Sequence, residues 1–206
     1  MLLILSSILS WILIIYKFLL TKKARLESKH FHRNFQKHRT NPLGMPLEKD
    51  APTPFQSLYL GMKKVTLDLL HKNQHFSGGS YLTSADADFI NTTLVSGIGS
   101  EIRELEKNLY VLSTITGLAP LLGLLGTVWG ITTTFSHMQG QAGLNHTLLS
   151  GLSLALITTV LGLVTAIPAL VAYNYLKNTL LRFETEMEEF ATDLVTSLEL
   201  QYRKVE

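Results

Sequence analysis

Hydroxyl-bearing and small side chains recur at helical spacing through a stretch of this chain that holds no charge. Ser113, Thr116, Pro120, Gly123, Thr127, Gly130 and Thr134 follow one another at alternating steps of three and four residues. Gly151, Ala155, Thr159, Gly162, Ala166 and Ala169 form a second row, with Thr158 and Thr165 alongside. A threonine hydroxyl can hydrogen-bond water or a partner side chain without carrying a charge, so two such rows on neighbouring helices suit the lumen of an oligomeric pore. They also suit close packing, because small residues let membrane helices approach and hydroxyls can bond backbone carbonyls. Periodicity leaves both readings open.

Other chemistry has little to work with. The chain has no cysteine, which excludes disulfide frameworks, thiolate zinc sites and cysteine nucleophiles. His30, His32, His38, His71 and His75 sit in polar segments without paired carboxylates nearby, so no metal site is expected. No nucleophile with base and orienting acid, phosphate loop or cofactor motif is present, and the expectation is a protein that is not an enzyme. A net charge of +2, spread out and without interleaved aromatics, gives no basis for nucleic-acid binding.

The elements that must hold the two rows are membrane helices. Asp, Glu, Lys and Arg make up 17% of the 206 residues, yet none lies among the 69 residues between Lys107 and Lys177. A water-exposed surface of that length would carry about a quarter charged residues. The polar, turn-forming segment Ser136 to Thr147 divides the stretch, giving a second span over 109–135 and a third over 148–176. A first span over 1–20 is apolar apart from Ser6, Ser7, Ser10 and Lys17. Its basic residues follow the apolar run instead of preceding it, which favours an anchor over a cleaved signal peptide. Lys17 is expected to snorkel to the interface.

All eighteen Lys and Arg fall on one side of this layout, at Lys17, between Lys22 and Lys107, and from Lys177 onward. The positive-inside rule then turns the amino terminus and the 136–147 loop outward, away from the cytoplasm. It puts residues 21–108 and the tail 177–206 in the cytoplasm. Asn41 to Pro54 holds four of the six prolines and reads as irregular, and Gln74 to Ser80 reads as a loop. Phe55 to Leu70 has helical spacing. Ser84 can cap a further helix with Asp86 and Asp88 in its first turn, continuing through Lys107 into the second span. In the tail, Leu180, Phe183, Met187, Phe190, Leu194 and Leu198 form one apolar stripe. The fold expected is an all-α integral membrane protein, with three transmembrane helices and a helical cytoplasmic bundle.

The run from Ala119 through Pro120, Gly123, Gly126, Thr127, Trp129 and Gly130 to Ile131, ending in Phe135, resembles the second-helix signature of the TolQ, ExbB and MotA proton-channel family. The third helix matches from Gly151 through Ala155, Thr159, Gly162, Ala166 and Pro168 to Tyr173 and Asn174. These motifs cover about a third of the chain directly. The resemblance implies a multi-pass subunit of the bacterial inner membrane that forms a homopentamer in the lipid bilayer. It further implies a TolR- or ExbD-like single-span partner whose aspartate carries the proton, and a periplasm-spanning TolA- or TonB-like protein that receives the movement. The family's lumen threonines fall on Thr127 and Thr159, with Thr158 adjacent. Gly123, Gly126, Gly130 and Gly162 fall to helix packing, and Pro120 and Pro168 to helix geometry.

One position departs from the pattern. Where TolQ and ExbB usually carry a glutamate, Gly151-Leu-Ser-Leu154-Ala-Leu places Leu154. An intramembrane carboxylate normally signals a proton relay, so its loss removes a direct reason to assign conduction to this subunit alone. The alternative to a motor subunit is a nonconducting scaffold of the same architecture. A flagellar stator subunit fits less well, because that group generally has four spans.

Overall fold

The computed structural model describes residues 2–46, 52–77, 79–137 and 144–203. It contains five helices: α1 (Leu2–Lys37), α2 (Pro54–Ser77), α3 (Ser84–Glu106), α4 (Leu109–His137) and α5 (Leu144–Tyr202). Three of them, α1, α4 and α5, contain stretches long and apolar enough to cross a membrane. Residues 138–143 of the expected periplasmic loop lie outside the described residues.

Local chemistry sets the helix ends. Beyond α1 the chain turns through hydrogen bonds from His38 N–H to the Phe35 carbonyl and from Gly44 N–H to the Asn41 carbonyl. Pro42 disfavours helix at Asn41. Thr53 caps α2, its hydroxyl accepting from Gln56 N–H at 3.2 Å, and Pro54 occupies the first helical position, where a missing N–H costs nothing. The helix continues through Ser77, past the point where a loop was expected at Gln74. Neither glycine nor proline lies between Gln74 and Ser77 to stop it.

The cap of α3 is Thr83, one residue before the expected Ser84. Its hydroxyl accepts from Asp86 N–H at 3.2 Å while Asp86 Oδ2 accepts from Thr83 N–H at 2.9 Å, a reciprocal capping box. Burial works to raise the Asp86 pKa. The Thr83 and Asn73 hydrogen bonds and the Lys72 charge outweigh it and hold the carboxyl below its ordinary range. The expected continuation of α3 into the second span is interrupted. Asn108 adopts φ 67° between α3 and α4, a left-handed conformation that ends one helix before Leu109 begins the next.

The chain forms two compact units. The first comprises residues 1–19 and 107–177, and the second residues 20–106 and 178–206. They follow opposite packing rules. In the first, large apolar side chains point outward, with Leu121, Leu125, Trp129, Val164 and Val171 exposed. Small ones point inward, with Ala119, Ala155, Ala166 and Ala169 buried. That inversion is the expected arrangement where the solvent is lipid, which gives no hydrophobic drive to bury leucine. Lys17 is only 3% exposed, so it is buried and does not snorkel outward as expected.

The second unit has an ordinary apolar core built on aromatic rings. Phe55 stacks on Phe190 at 4.5 Å between ring centroids, and Phe35 meets Phe190 edge-on at 5.5 Å. Phe31 packs against Tyr59. The α5 stripe of Leu180, Phe183, Met187, Phe190, Leu194 and Leu198 is buried at every position, as its spacing required. Burial pushes the Tyr59 phenol above its ordinary pKa, against a lowering by the Met45 main chain. Around this core Arg25 Nε donates to Glu186 at 3.1 Å, and His32 lies 3.3 Å from Asp193. Both pairs tie α1 to α5.

Candidate functional site

Within the first unit, the two rows of small and hydroxylated residues face each other. A Cβ built on Gly123 would lie 2.9 Å from the Thr158 carbonyl oxygen and 3.0 Å from Thr159 Cα. One on Gly162 would lie 2.6 Å from the Ala119 carbonyl oxygen and 3.2 Å from Gly123 Cα. One on Gly130 would lie 3.0 Å from the Ala155 Cβ, and one on Gly126 would strike the Thr158 side chain at 2.6 Å. Positions that rise along α4 thus meet positions that fall along α5, as antiparallel helices require. Glycine at 123 and 162 permits backbone contact that any side chain would obstruct, and glycine at 126 and 130 leaves room for the side chains of Thr158 and Ala155. Gly117, with nothing within 4 Å, carries no such constraint.

The threonines are held against this seam. Thr127 is buried, and its hydroxyl donates to the Leu124 carbonyl at 2.6 Å. The Thr158 hydroxyl lies 2.7 Å from the Ala155 carbonyl and 3.2 Å from that of Gly123. Thr159 reaches the same Gly123 oxygen at 3.3 Å. Each hydroxyl donates its one proton to main chain and keeps oxygen lone pairs able to accept from water or a protonated group. Hydroxyls bonded this way are tolerated in a membrane helix because no polar hydrogen is left unsatisfied in lipid. Thr116 and Thr134 follow the same pattern, donating to the Ser113 and Gly130 carbonyls. Pro120 and Pro168 lie inside α4 and α5, and each removes one N–H from its helix ladder.

Leu154 is 66% exposed, so the position of the family glutamate points away from the α4–α5 seam of its own chain. Trp129, at 71%, also points outward. What the residue pattern could not supply is the Gly123 carbonyl as a shared acceptor and the Ala119 carbonyl against Gly162. Main-chain oxygens have no residue-type signature, and only the register of the two helices selects them. Among the described residues no group of three or more His, Asp or Glu is placed to hold a metal ion.

Three helices able to span a membrane, with two packed through glycine and threonine, define a multi-pass membrane protein in which α4 and the part of α5 before Lys177 form an uncharged, hydroxyl-bearing pair. Residues 61–189 match the MotA/TolQ/ExbB proton channel family, and the chain belongs to that family. The biopolymer transport protein ExbB of Aquifex aeolicus is 47% identical over 76 residues, 36% of this chain and 51% of that protein. The Tol-Pal system protein TolQ of Haemophilus influenzae is 31% identical over 208 aligned residues, covering 95% of this chain and 85% of that protein. ExbB of Neisseria meningitidis is 27% identical over 94% of the chain. Family membership and the three spans place the protein in the inner membrane. Nothing in these relationships supports the nonconducting-scaffold alternative.

Proposed function

We infer that this chain is the multi-pass subunit of a proton-driven motor of TolQ or ExbB type. It forms a homopentamer whose pore is shared with a TolR- or ExbD-like single-span partner, and proton flow there moves a TolA- or TonB-like protein across the periplasm. The observation that carries this reading is the cluster of Thr127, Thr158 and Thr159 hydroxyls on main-chain carbonyls of the α4–α5 pair. With Leu154 in place of an acid, the subunit has no carboxylate at that position to exchange a proton. The partner's aspartate therefore carries it, and the threonine oxygens accept hydrogen bonds along the path. In this reading the amino terminus faces the periplasm, the carboxyl terminus faces the cytoplasm, and the second unit is cytoplasmic.

The test is proton flux in vesicles holding this subunit together with a candidate single-span partner. Thr127→Val/Thr159→Val keeps side-chain shape but removes two hydroxyls, so flux should fall at least ten-fold, about 1.4 kcal/mol of barrier, while the complex persists. Replacing the partner's aspartate should abolish flux. In a water-accessible lumen Leu154→Glu should be tolerated, whereas against lipid it would cost assembly a few kcal/mol. No flux from the intact pair, or flux indifferent to the double valine change, defeats the reading.

A further inference from the structure

In the second unit the two long helices carry opposite charge on their outward faces. On α1, Lys22, Lys23, His30, Arg33 and Lys37 are exposed on the side turned away from the buried Phe31 and Phe35. On α5, exposed Glu188 and half-buried Glu184 and Glu199 lie along one flank of the buried stripe of Phe183, Met187 and Leu194, and exposed Glu189 and Arg182 lie on the side turned away from it. Lys23 pairs with Glu27 along its own helix at 3.8 Å. The links between the helices use other residues: Arg25 and Lys29 with Glu186, and His32 and Arg39 with Asp193. Exposed Leu26 and Leu181, 59% and 51% accessible, belong to the same two faces.

Register brings Lys23 and Lys37 level with acids of α5, while Glu27, which pairs with Lys23, comes level with Glu188. Arg25 meets Glu186 and His32 meets Asp193, each pair 161 residues apart, so α1 and α5 run parallel with a fixed offset. Lys23 is then level with Glu184, and Lys37 lies within one residue, about 1.5 Å, of the level of Glu199. At ~100° per residue Lys23 lies roughly half a turn from the Arg25 and His32 side of α1, and Glu184 roughly half a turn from the Glu186 and Asp193 side of α5. The two charges therefore point to opposite flanks of the helix pair. Cyclic assembly relates neighbouring copies by rotation without axial shift, so with the helices running along the ring axis only residues at one level can meet.

We propose that the basic face of α1 in one copy docks on the acidic face of α5 in the next, a head-to-tail contact repeated around the ring. This rests on the homo-oligomeric reading above and specifies the order in which subunits join. A second copy fits the basic face better than an anionic lipid surface. Lys22 and Lys23 lie within a Debye length, ~8 Å, of Leu20, but His30, Arg33 and Lys37 lie ten to seventeen residues beyond it, about 15–25 Å along the helix, so a charged lipid surface reaches only the near end of the basic face. Exposed pairs contribute little each, so the contact sets register and excludes like-charged faces more than it supplies affinity.

The chain has no cysteine, so Lys23→Cys and Glu184→Cys can be placed without background and oxidised in native membranes holding the full-length protein. With both changes in one chain a ladder of disulfide-linked multimers should form. Two chains carrying one change each should give dimers only when expressed together. Lys37→Glu should cut the ladder several-fold, and adding Glu199→Lys to the same chain should restore it. No ladder from a chain that native mass spectrometry still finds oligomeric would overturn the docking and leave the oligomer intact. A monomeric native chain would overturn the oligomeric reading itself. Cross-linking through either cysteine alone would mean a two-fold contact and defeat the proposal. So would a loss that the α5 reversal does not rescue but that removing anionic lipid reproduces.

Discussion

A methyl group on Gly162 would come within 2.6 Å of the Ala119 carbonyl oxygen, so α4 and α5 approach to a separation that only glycine permits. The obstacle is backbone, and relief would require one helix to shift against the other. Gly162→Ala should therefore lower stability by about 1–3 kcal/mol, the usual range for overpacking a tight contact. Gly117→Ala meets nothing within 4 Å and should be neutral or stabilising by up to about 1 kcal/mol through helix propensity. Unfolding midpoints in detergent compare the two. Equal effects would mean that the glycine seam does not hold the helices.

The break between α3 and α4 depends on Asn108 at φ 67°. Asparagine and glycine enter this region readily, while a β-branched residue does not. Asn108→Gly should keep stability within a few tenths of a kcal/mol, and Asn108→Val should cost about 1–2 kcal/mol. Thermal unfolding of both variants is the measurement, and a valine variant as stable as the glycine one would contradict the strained turn.

The Arg25 hydrogen bond and the charges of Arg25 and Lys29 hold the Glu186 carboxyl below its ordinary pKa, against the opposing effect of burial. A depressed carboxylate pKa contributes stability above the ordinary glutamate value of ~4.3 and loses it as pH falls through the folded value. Glu186→Gln should therefore be less stable than the native chain near pH 7, by about 1 kcal/mol after allowing for partial solvent exposure. The gap should close as the pH drops below 4. A constant gap across that window would assign the loss to packing.

Topology follows from where the basic residues lie. Cysteines placed one at a time at Ser136 and Lys72, both exposed, should react with an impermeant maleimide from opposite sides of the membrane. Ser136 should label from the periplasm and Lys72 only after permeabilisation. Labelling of both from the periplasm would overturn the three-span layout.

The three spans were legible because a bilayer demands a long uncharged run, and charge is the property a sequence displays most directly. The α5 stripe from Leu180 to Leu198 was legible for the related reason that a buried helix face repeats every three to four residues. Local interruptions were read less well. The Thr83-x-x-Asp86 box was present in the sequence but lost to the neighbouring Ser84, which is an equally good capping residue by type. The left-handed turn at Asn108 falls between two strongly helical segments whose periodicities do not reveal a break.

The sequence by itself determined that α4 and α5 each carry a face of small and hydroxylated residues, because residue type and helical period suffice to define a face. It could not determine what either face meets. Only the tertiary structure decided that Gly123, Gly130 and Gly162 of one chain close on Thr158, Ala155 and Ala119 of the same chain, and that the Gly123 carbonyl lies within reach of two hydroxyls. It likewise decided that Lys17 is buried and Leu154 turned outward. Those outcomes depend on the rotation and register of one helix against another, which are set by contacts among residues far apart in the chain and leave no trace in the periodicity of either.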